Sequence, residues 1–346
     1  MKIGIITGKD DEISLHKEIN KLVPKKYYEN GNVHTDIALA YLIKTKFVGI
    51  DVDIIKPNEI NNQRLKKNDI NYVIGYDIIN IINDDPPIKK FKGQKGLEKL
   101  DNMYKDKKNN VFPSYDFLSF LWDKKIYLKH LKKNKIPISP TIFISKKVNP
   151  SKLLNDIKIK KWNNFIIKPI GGTIAYGLGI FNYNECIQDP SLLNNYFEEE
   201  NKYYEEYLVQ EKIDGFSKYG EIKTFWINGK LSYAVNTPGA TSPGETYKVK
   251  EEINKDVLNK CEQIGKKIFD VLPKISFNRK KTFPVLIRID FACCKNNRNK
   301  KVTNYFVNEI ESDIAGLYIN FPNVKYPALE ILANTYVQKA YELKNK

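Results

Sequence analysis

Residues 165–181 read FIIKPIGGTIAYGLGIF, and this stretch gives the strongest local indication of a fold. Its three apolar residues predict a buried strand that ends at Lys168, and a segment with four glycines follows. A lysine at a strand end can reach the α- or β-phosphate of a nucleotide, while backbone N–H groups of a flexible loop cover the other oxygens. A glycine-built surface hairpin explains the same residues equally well. Lys168 is therefore either a surface charge or a phosphate ligand.

The length and charge of the chain disfavour one class of protein. With 346 residues, of which 42% are hydrophobic and 28% charged, the chain is long enough for two or three packed units. Its formal charge of +16 would suit a nucleic-acid partner, but only four of its 57 basic residues are arginine. Base reading and bidentate phosphate contacts favour the arginine fork. We therefore expect no specific nucleic-acid partner, and a basic nucleic-acid-binding protein is the least favoured alternative.

The sequence also gives expectations about the cellular compartment. No stretch approaches the roughly 18–20 uninterrupted apolar residues of a membrane span. The opening residues MKIGIITGKDDE turn polar too early for a signal peptide. The four cysteines show neither metal-ligand spacing nor a disulfide framework. These features predict a cytoplasmic protein with reduced thiols and no membrane partner.

Strand-like apolar runs alternate with helix-like stretches along the chain, which predicts an α/β protein. Asn228-Gly229 between two apolar runs predicts a tight hairpin. Helices are expected over residues 115–135 and 328–343. The stretch Gly4–Lys9 looks like a phosphate-binding loop, but its spacing is one residue short and Asp10 replaces the expected serine or threonine. It is better explained as a strand that runs into a surface loop.

Two further strands carry charged residues that strand alternation places together. In Arg288-Ile289-Asp290 the two charged side chains share one face, and in Asn308–Glu311 the two glutamates share one face. If these strands pair through the polar turn at residues 295–301, three carboxylates converge. Such carboxylates repel one another unless a cation lies among them, and oxygen-only ligands suit Mg²⁺. The alternative is a solvated hairpin face, which the apolar opposite faces of both strands and the scarcity of arginine weaken.

A third candidate element is the apolar strand that begins at Tyr207. Its end could offer backbone groups and a carboxylate to an adenine amino group and a ribose. The residues at this end are Gln210, Glu211, Lys212 and Ile213. A plain edge strand explains the stretch equally well.

Taken in order, these pieces resemble the ATP-grasp superfamily over residues 111–317. The segments that carry the resemblance are Asp123-Lys124, which opens a helix that leads to Ile136-Pro137, and residues 165–179, 209–213, 220–223, 288–290 and 308–311. The resemblance implies an α/β chain with α+β subdomains in an ATP-grasp fold. The implied divisions are an N-terminal α/β pre-ATP-grasp domain at 1–112, a central subdomain with a glycine-rich lid at 113–206, and a C-terminal subdomain with a metal site at 207–346. Residues 220–235 are most similar to the glutathione-synthetase-like branch, which often has histidine where Tyr233 stands.

The resemblance also implies an activity and its cofactors. It implies an ATP-dependent ligase that converts a carboxylate into an acylphosphate, which an amine or a thiol then attacks. The implied cofactors are ATP and Mg²⁺, with Mn²⁺ as a substitute. The implied partners are a small-molecule carboxylate and an amine or thiol acceptor, and a homodimer is compatible with them. A non-catalytic ATP–Mg-binding module of the same fold is the alternative.

Residue roles carry over by position in the motifs. The resemblance implies that Arg288 stabilises charge on the transferring phosphoryl group as a catalytic residue, together with Lys168. It implies a Mg²⁺ site made of three carboxylates: Asp290, Glu309 and Glu311. The implied nucleotide-binding residues are Lys124, Lys168, Gly171, Gly172, Gly177, Gly179, Gln210, Glu211, Lys212, Ile213, Lys223 and Lys248. For Lys223 and Lys248, coincidence in a lysine-rich chain stays an open alternative.

Two departures from the family pattern concern the metal site and the acceptor side. Glu311 stands where several ligases have asparagine, which exchanges one oxygen ligand for another. The stretch Ser312–Gly316 lacks the proline that many relatives have there. The resemblance therefore does not define the acceptor.

Overall fold

The computed structural model describes residues 1–8, 12–75, 103–170, 177–237, 249–293, 305–313 and 315–344. Within these ranges the chain forms three larger sheets and a two-stranded hairpin, with helices packed against them. No helix in these ranges has the length and apolar character needed to cross a membrane. The combination of a parallel sheet, antiparallel sheets and flanking helices confirms the predicted α/β class.

The N-terminal part of the chain forms a four-stranded parallel sheet. Its strands are β1 (Lys2–Ile6), β2 (Asp51–Ile55), β3 (Ile70–Val73) and β4 (Val111–Phe112), in the order β2-β1-β3-β4. Its helices are α1 (Lys17–Asn20), α2 (Thr35–Lys46) and α3 (Asn62–Leu65). All four residues of β3 are buried, as expected of a parallel sheet that is covered on both faces. Gly4 allows β3 to approach β1, because a Cβ atom there would lie 1.9 Å from Asn71 Oδ1.

The second sheet is antiparallel and contains the stretch at residues 165–181. Its strands are β5 (Thr141–Ser145), β6 (Asn164–Pro169), β7 (Gly179–Asn182) and β8 (Glu206–Glu211), in the order β5-β8-β6-β7. The helices of this part are α4 (Tyr115–Trp122), α5 (Lys124–Lys133), α6 (Pro150–Lys160), α7 (Tyr183–Gln188) and α8 (Ser191–Glu200). Phe165 and Ile167 of β6 are fully buried in the core beneath this sheet. The apolar residues before Lys168 therefore form the predicted strand, which buries Phe165 and Ile167 on one face and leaves Ile166 partly exposed.

Helical spacing over residues 115–135 predicts one helix, but the structure has two, and the second begins at Asp123-Lys124 as the resemblance implies. Asp123 lies between α4 and α5 in an extended conformation, with φ −83° and ψ 95°. Its Oδ1 atom accepts hydrogen bonds from the backbone N–H groups of Lys125 at 2.8 Å and Ile126 at 3.0 Å. This N-cap begins α5 and places Lys124 at its first position.

The C-terminal part contains seven strands within the described residues. They are β9 (Glu221–Ile227), β10 (Lys230–Thr237), β11 (Lys250–Glu251), β12 (Ile275–Phe277), β13 (Lys280–Thr282), β14 (Leu286–Cys293) and β15 (Tyr305–Glu311). Five of these strands form an antiparallel sheet in the order β11-β10-β9-β14-β15, whereas β12 and β13 form a separate hairpin. The helices are α9 (Asp214–Tyr219), α10 (Lys255–Val271) and α11 (Ala328–Leu343).

Two local predictions for this part are confirmed. Asn228 and Gly229 join β9 and β10 with positive φ values of 50° and 75°, and Lys230 pairs with Ile227. The predicted C-terminal helix has the expected bounds in α11. This helix packs against α2, and the Tyr72 hydroxyl of β3 donates a hydrogen bond to the Tyr336 carbonyl of α11 at 2.9 Å. The N-terminal sheet is therefore packed onto the C-terminal part.

Candidate active site

The acidic residues singled out in the sequence lie together on one face of the five-stranded sheet. β14 pairs with β15 so that Arg288 lies opposite Glu311 and Asp290 lies opposite Glu309. The predicted pairing of these strands is confirmed, whereas the connecting turn at residues 295–301 lies outside the described residues. Asp290, Glu309 and Glu311 each place a carboxylate oxygen within 4.8 Å of the other two. The three carboxylates therefore meet at one place, and metal binding there stays a prediction.

The pKa values of two of these carboxylates are shifted in opposite directions. Burial and the neighbouring carboxylates raise the pKa of Glu311 to about 7, although Arg288 acts in the opposite direction. Burial also acts to raise the pKa of Glu309, but Lys124 and Lys168 outweigh it and lower that pKa to about 2. A cation among the three oxygens would relieve the repulsion that Glu311 experiences. A set of carboxylate oxygens alone is the donor set that Mg²⁺ prefers, so the residues present fit this ion.

Asp290 lies between two buried cations. Its Oδ2 atom is 2.6 Å from Lys223 Nζ, and its Oδ1 atom accepts a hydrogen bond from Arg288 Nε at 2.8 Å. Arg288 Nη2 also contacts Glu311 Oε1 at 2.6 Å. Burial acts to lower the pKa of Arg288, but the nearby carboxylates outweigh it and raise that pKa well above its usual value. The guanidinium therefore stays charged next to the carboxylate group.

Lys223 belongs to the same cluster. Strand pairing places Lys223 of β9 opposite Asp290 of β14. Its ammonium group also contacts Glu221 Oε2 at 2.5 Å, and Asn308 Nδ2 donates a hydrogen bond to Glu221 Oε1 at 2.7 Å. Burial and Asp290 raise the pKa of Glu221, while Lys223 acts in the opposite direction. Lys223 thus contacts two carboxylates, and its role as a nucleotide-binding residue stays a prediction.

Two lysines from other elements, α5 and β6, add positive charge next to the three carboxylates. Lys124 at the start of α5 places its Nζ atom 3.0 Å from Glu309 Oε1. Lys168 at the end of β6 is partly buried, and burial lowers its pKa to about 8. Lys124 lowers the pKa of Lys168 further, whereas Glu309 raises it. The structure thus brings Lys124 and Lys168 into electrostatic contact with Glu309.

Part of the predicted lid can be described. Gly171, Gly172 and Lys248 lie outside the described residues. Gly177 has a φ of +70°, and a Cβ atom there would lie 2.7 Å from Pro169 Cγ, so glycine permits a close approach to the end of β6. Gly179 begins β7 and pairs with Ile167.

The residues predicted to contact adenosine lie at the end of β8 and just beyond it. Gln210 is buried, and its Nε2 atom donates a hydrogen bond to Thr141 Oγ1 at 3.0 Å. The backbone N–H of Lys212 donates to the carbonyl of Asn164 at 3.0 Å, and the Ile213 side chain packs in a small apolar cluster. Glu211 pairs with Phe165 of β6, which lies three residues before Lys168 on the same strand. At 3.4 Å per residue, this separation is roughly 10 Å along the strand.

Three residues of this cluster were not singled out as site residues in the sequence. Glu221 and Asn308 form the hydrogen bond described above, and the ring of Tyr318 lies over Lys223 and Arg288. Alternation along β9 could have indicated Glu221, because it shares a strand face with Lys223. No comparable sequence signal marks Tyr318.

Comparison with solved structures shows similarity over nearly the whole chain. D-cycloserine synthetase DcsG is 11% identical, with a TM-score of 0.66, over 98% of this chain and 100% of that chain. D-alanine–D-alanine ligase from Bacillus anthracis is 16% identical, with a TM-score of 0.55, over 99% of both chains. ATP-grasp ligase PsnB, in a complex with a variant of its minimal precursor, Mg and ADP, is 11% identical, with a TM-score of 0.57, over 98% of both chains.

Sequence comparison gives no closer assignment. No protein-family model matches the chain, and no curated protein matches its sequence. At identities of 11–16%, the structural similarity defines the fold and leaves the activity and the branch of the superfamily open. The extent of the match, together with the arrangement of the three sheets, shows that this protein has the ATP-grasp fold.

Proposed function

We propose that this protein is an ATP-dependent ligase that joins a carboxylate to an amine, or to a thiol, and releases ADP and phosphate. The observation that carries the proposal is the convergence of Asp290, Glu309 and Glu311 on one sheet face, with Arg288 and Lys223 in contact with them. An alternating-charge surface hairpin would not bury Asp290 to 1% exposure. The ATP-grasp fold, shared with ligases of known structure, supports the same reading.

In the proposed reaction the substrate carboxylate attacks the γ-phosphorus of ATP, and ADP leaves. The amine or thiol then attacks the carbonyl carbon of the acylphosphate and loses a proton to water, and phosphate leaves with the bond electrons. Phosphoryl transfer of this kind depends on positioning and charge neutralisation, so it needs no serine or histidine nucleophile. Arg288 and Lys223 are buried cations that can face the charge developing on the transferred group.

The three carboxylates would hold Mg²⁺, which neutralises phosphate charge and orients the oxygens when it is bound. Lys124 and Lys168 would bind phosphate oxygens, because both already face the negative charge of Glu309. The lid glycines and Lys248 would cover the triphosphate. We assign adenosine binding to the four residues at the end of β8: Gln210, Glu211, Lys212 and Ile213. Mn²⁺ would serve as a substitute for Mg²⁺, since it accepts the same oxygen ligands.

Further assignments belong to the same proposal. The pre-ATP-grasp domain would end at residue 112, where β4 completes the N-terminal sheet, and the two ATP-grasp subdomains would divide at residue 206. We assign the chain to the glutathione-synthetase-like branch and to the cytoplasm, with a small-molecule carboxylate substrate. A homodimer would be compatible with these assignments.

The decisive experiment measures ADP and phosphate release by the purified protein with ATP, Mg²⁺ and pooled carboxylates and amines. We expect release that requires Mg²⁺ and rises with one carboxylate–amine pair, and mass spectrometry should detect the coupled product. Thiols form a second pool in the same assay. Tight binding of ATP and Mg²⁺ without turnover over the whole panel would instead support a non-catalytic nucleotide-binding module. Steeply salt-dependent binding to duplex DNA at about 150 mM salt would support the nucleic-acid alternative.

A further inference from the structure

The ring of Tyr318 lies against two buried cations of the candidate site. Lys223 Nζ is 5.6 Å from the ring centroid, and Arg288 Cζ is 5.7 Å from it. Cations within about 6 Å of an aromatic face are attracted by the ring quadrupole, and this attraction grows when the cation is desolvated. Both cations are more than nine-tenths buried. One aromatic side chain therefore contacts both positive groups that flank Asp290.

The backbone of Tyr318 has a conformation that tyrosine rarely adopts. Its φ is +61°, in the left-handed region where a bulky side chain is strained. Contacts on both sides hold the backbone there. The Glu12 carboxylate accepts hydrogen bonds from the N–H groups of Leu317 at 2.7 Å and Ile319 at 2.9 Å. The Tyr233 hydroxyl donates to the Leu317 carbonyl at 2.9 Å. A strained residue that its neighbours fix in this way is a candidate for a functional role.

Two further rings fix the orientation of Tyr318. Phe225 lies edge-on with a centroid distance of 6.4 Å, and Phe321 is stacked at 6.0 Å. Phe225 pairs across the strands with Arg288, and it stacks on Tyr233 at 4.2 Å. The aromatic side chains therefore extend along the same sheet face as the charged cluster.

A tyrosine ring suits this place better than another carboxylate. In the proposed function, Asp290 and its neighbours bind the metal, and Arg288 and Lys223 face phosphate oxygens. A further carboxylate beside the two cations would compete with phosphate for them and with the other carboxylates for the metal. An aromatic face attracts the cations without being a ligand for Mg²⁺.

We propose that Tyr318 is a positioning residue that holds the Arg288 guanidinium and the Lys223 ammonium in place for the transferring phosphoryl group. This inference rests on the proposed function. It assigns the ring, and not the phenol hydroxyl, to that task. It also accounts for the strained backbone, because an unstrained φ would direct the ring away from its present position.

The first test compares three variants of Tyr318 in the ATP turnover assay. Tyr318→Phe keeps the ring and should retain kcat within about threefold of the wild type. Tyr318→Asn tolerates the left-handed backbone but lacks the ring, and Tyr318→Leu lacks the ring as well. Two cation–π contacts predict that kcat falls at least roughly tenfold in both of these variants, with the KM for ATP changed less than about threefold. Tyr326→Leu is the matched control, because it removes a ring that stacks on Tyr233 at 4.6 Å.

The second test does not need turnover. A double-mutant cycle on the unfolding equilibrium constant combines Tyr318→Asn with Lys223→Met. We expect the two effects to be non-additive by a factor of about 3–10, because each variant removes the same contact. If the wild type shows no turnover, the proposed function fails and the cycle still decides the role of the ring. The inference would be overturned if the effects of the two substitutions on the unfolding equilibrium constant are additive within about 1.5-fold. It would also be overturned if Tyr318→Asn has the kcat of the wild type.

Discussion

The buried ammonium group of Lys223 offers the sharpest test of the candidate site. Lys223 Nζ contacts Glu221 Oε2 at 2.5 Å and Asp290 Oδ2 at 2.6 Å, and the three side chains are 8%, 10% and 1% exposed. Lys223→Met keeps most of the side-chain volume and removes the charge. Two buried carboxylates then lie side by side without the cation that joins them.

The cost of this substitution follows from the remaining partners. Removing one member of a buried ion pair destabilises a protein by about 3–5 kcal/mol. Arg288 still neutralises Asp290, and Asn308 still donates a hydrogen bond to Glu221. These partners place the expected loss near the lower limit, at about 3 kcal/mol, which is a factor of roughly 150 in the unfolding equilibrium constant.

The loss of stability in Lys223→Met should also depend on pH, and the raised pKa of Glu221 gives the direction of that dependence. Burial and Asp290 already raise the pKa of Glu221, and Lys223 acts against them. Without Lys223 this pKa rises further, so the folded variant retains a proton that the unfolded chain releases above about pH 4.3. A folded state that binds more protons than the unfolded state loses stability as pH rises. The deficit of Lys223→Met relative to the wild type should therefore grow as pH rises above the pKa that Glu221 has in the folded wild type.

Urea unfolding of the metal-free protein at several pH values measures this effect. Lys230→Met on the exposed start of β10 is the matched control, and its stability should change by less than about 0.5 kcal/mol. Adding Glu221→Gln to Lys223→Met should restore most of the stability at pH 8, because the unpaired charge is gone. A deficit below about 1 kcal/mol that does not change with pH would refute this account of the cluster.

Three further predictions concern the metal and the nucleotide. Asp290→Asn should lower Mg²⁺-dependent ATP turnover by about 10²–10³-fold, the scale of one lost electrostatic contact, in the assay of ADP release; unchanged turnover would exclude Asp290 as a metal ligand. In EDTA at pH 8, urea unfolding should show that Glu309→Gln is less stable than the wild type by about 2–3 kcal/mol, because its pKa of about 2 reflects a stabilised charge. Glu311→Gln should be at least as stable as the wild type at this pH. The pKa of Glu311 is raised to about 7, so the stabilising contribution of its protonated side chain is lost as pH rises through that value. Equal losses of stability in Glu309→Gln and Glu311→Gln would contradict these opposite shifts. Lys168→Ala should weaken ATP binding at least about tenfold, the effect of one lost charge contact, whereas Lys9→Ala in the stretch Gly4–Lys9 should leave the affinity for ATP unchanged. Calorimetry measures both affinities, and the reverse result would place the phosphate site in that stretch.

Local patterns in the sequence were sufficient to predict those features of the structure that depend on residues close together in the chain. Period-two alternation placed Arg288 with Asp290 on one face, and a single short connection then paired them with the glutamates of β15. Apolar periodicity does not mark the break at Asp123, because it continues across residues 115–135 although the backbone is extended at that one position. The Asp123-Lys124 motif, in contrast, indicated that a helix begins there. A single polar residue can thus divide a helix that periodicity presents as continuous.

Contacts between distant segments could not be read in this way. Lys223 meets Asp290 because β9 lies beside β14, and these strands are separated in the chain by β10 to β13. Nothing local in either strand specifies that order. Tyr318 is a similar case, because its left-handed backbone depends on Glu12, which is 305 residues away from Leu317 along the chain. Glycine or asparagine would have marked such a position, whereas tyrosine does not.

The pairing of charges in the cluster has a consequence for how nucleotide and metal bind. Asp290 is paired with Lys223 and Arg288, and Glu309 is paired with Lys124. Each of these ion pairs joins a group assigned to the metal with a group assigned to phosphate. A metal ion alone would leave buried cations unpaired, and nucleotide alone would leave buried carboxylates unpaired, and both states are costly in a buried site. Metal and nucleotide bound together would supply new partners for both kinds of group. Under the proposed assignments, this charge arrangement would favour entry of ATP and Mg²⁺ as one unit and would link the affinity for each to the presence of the other.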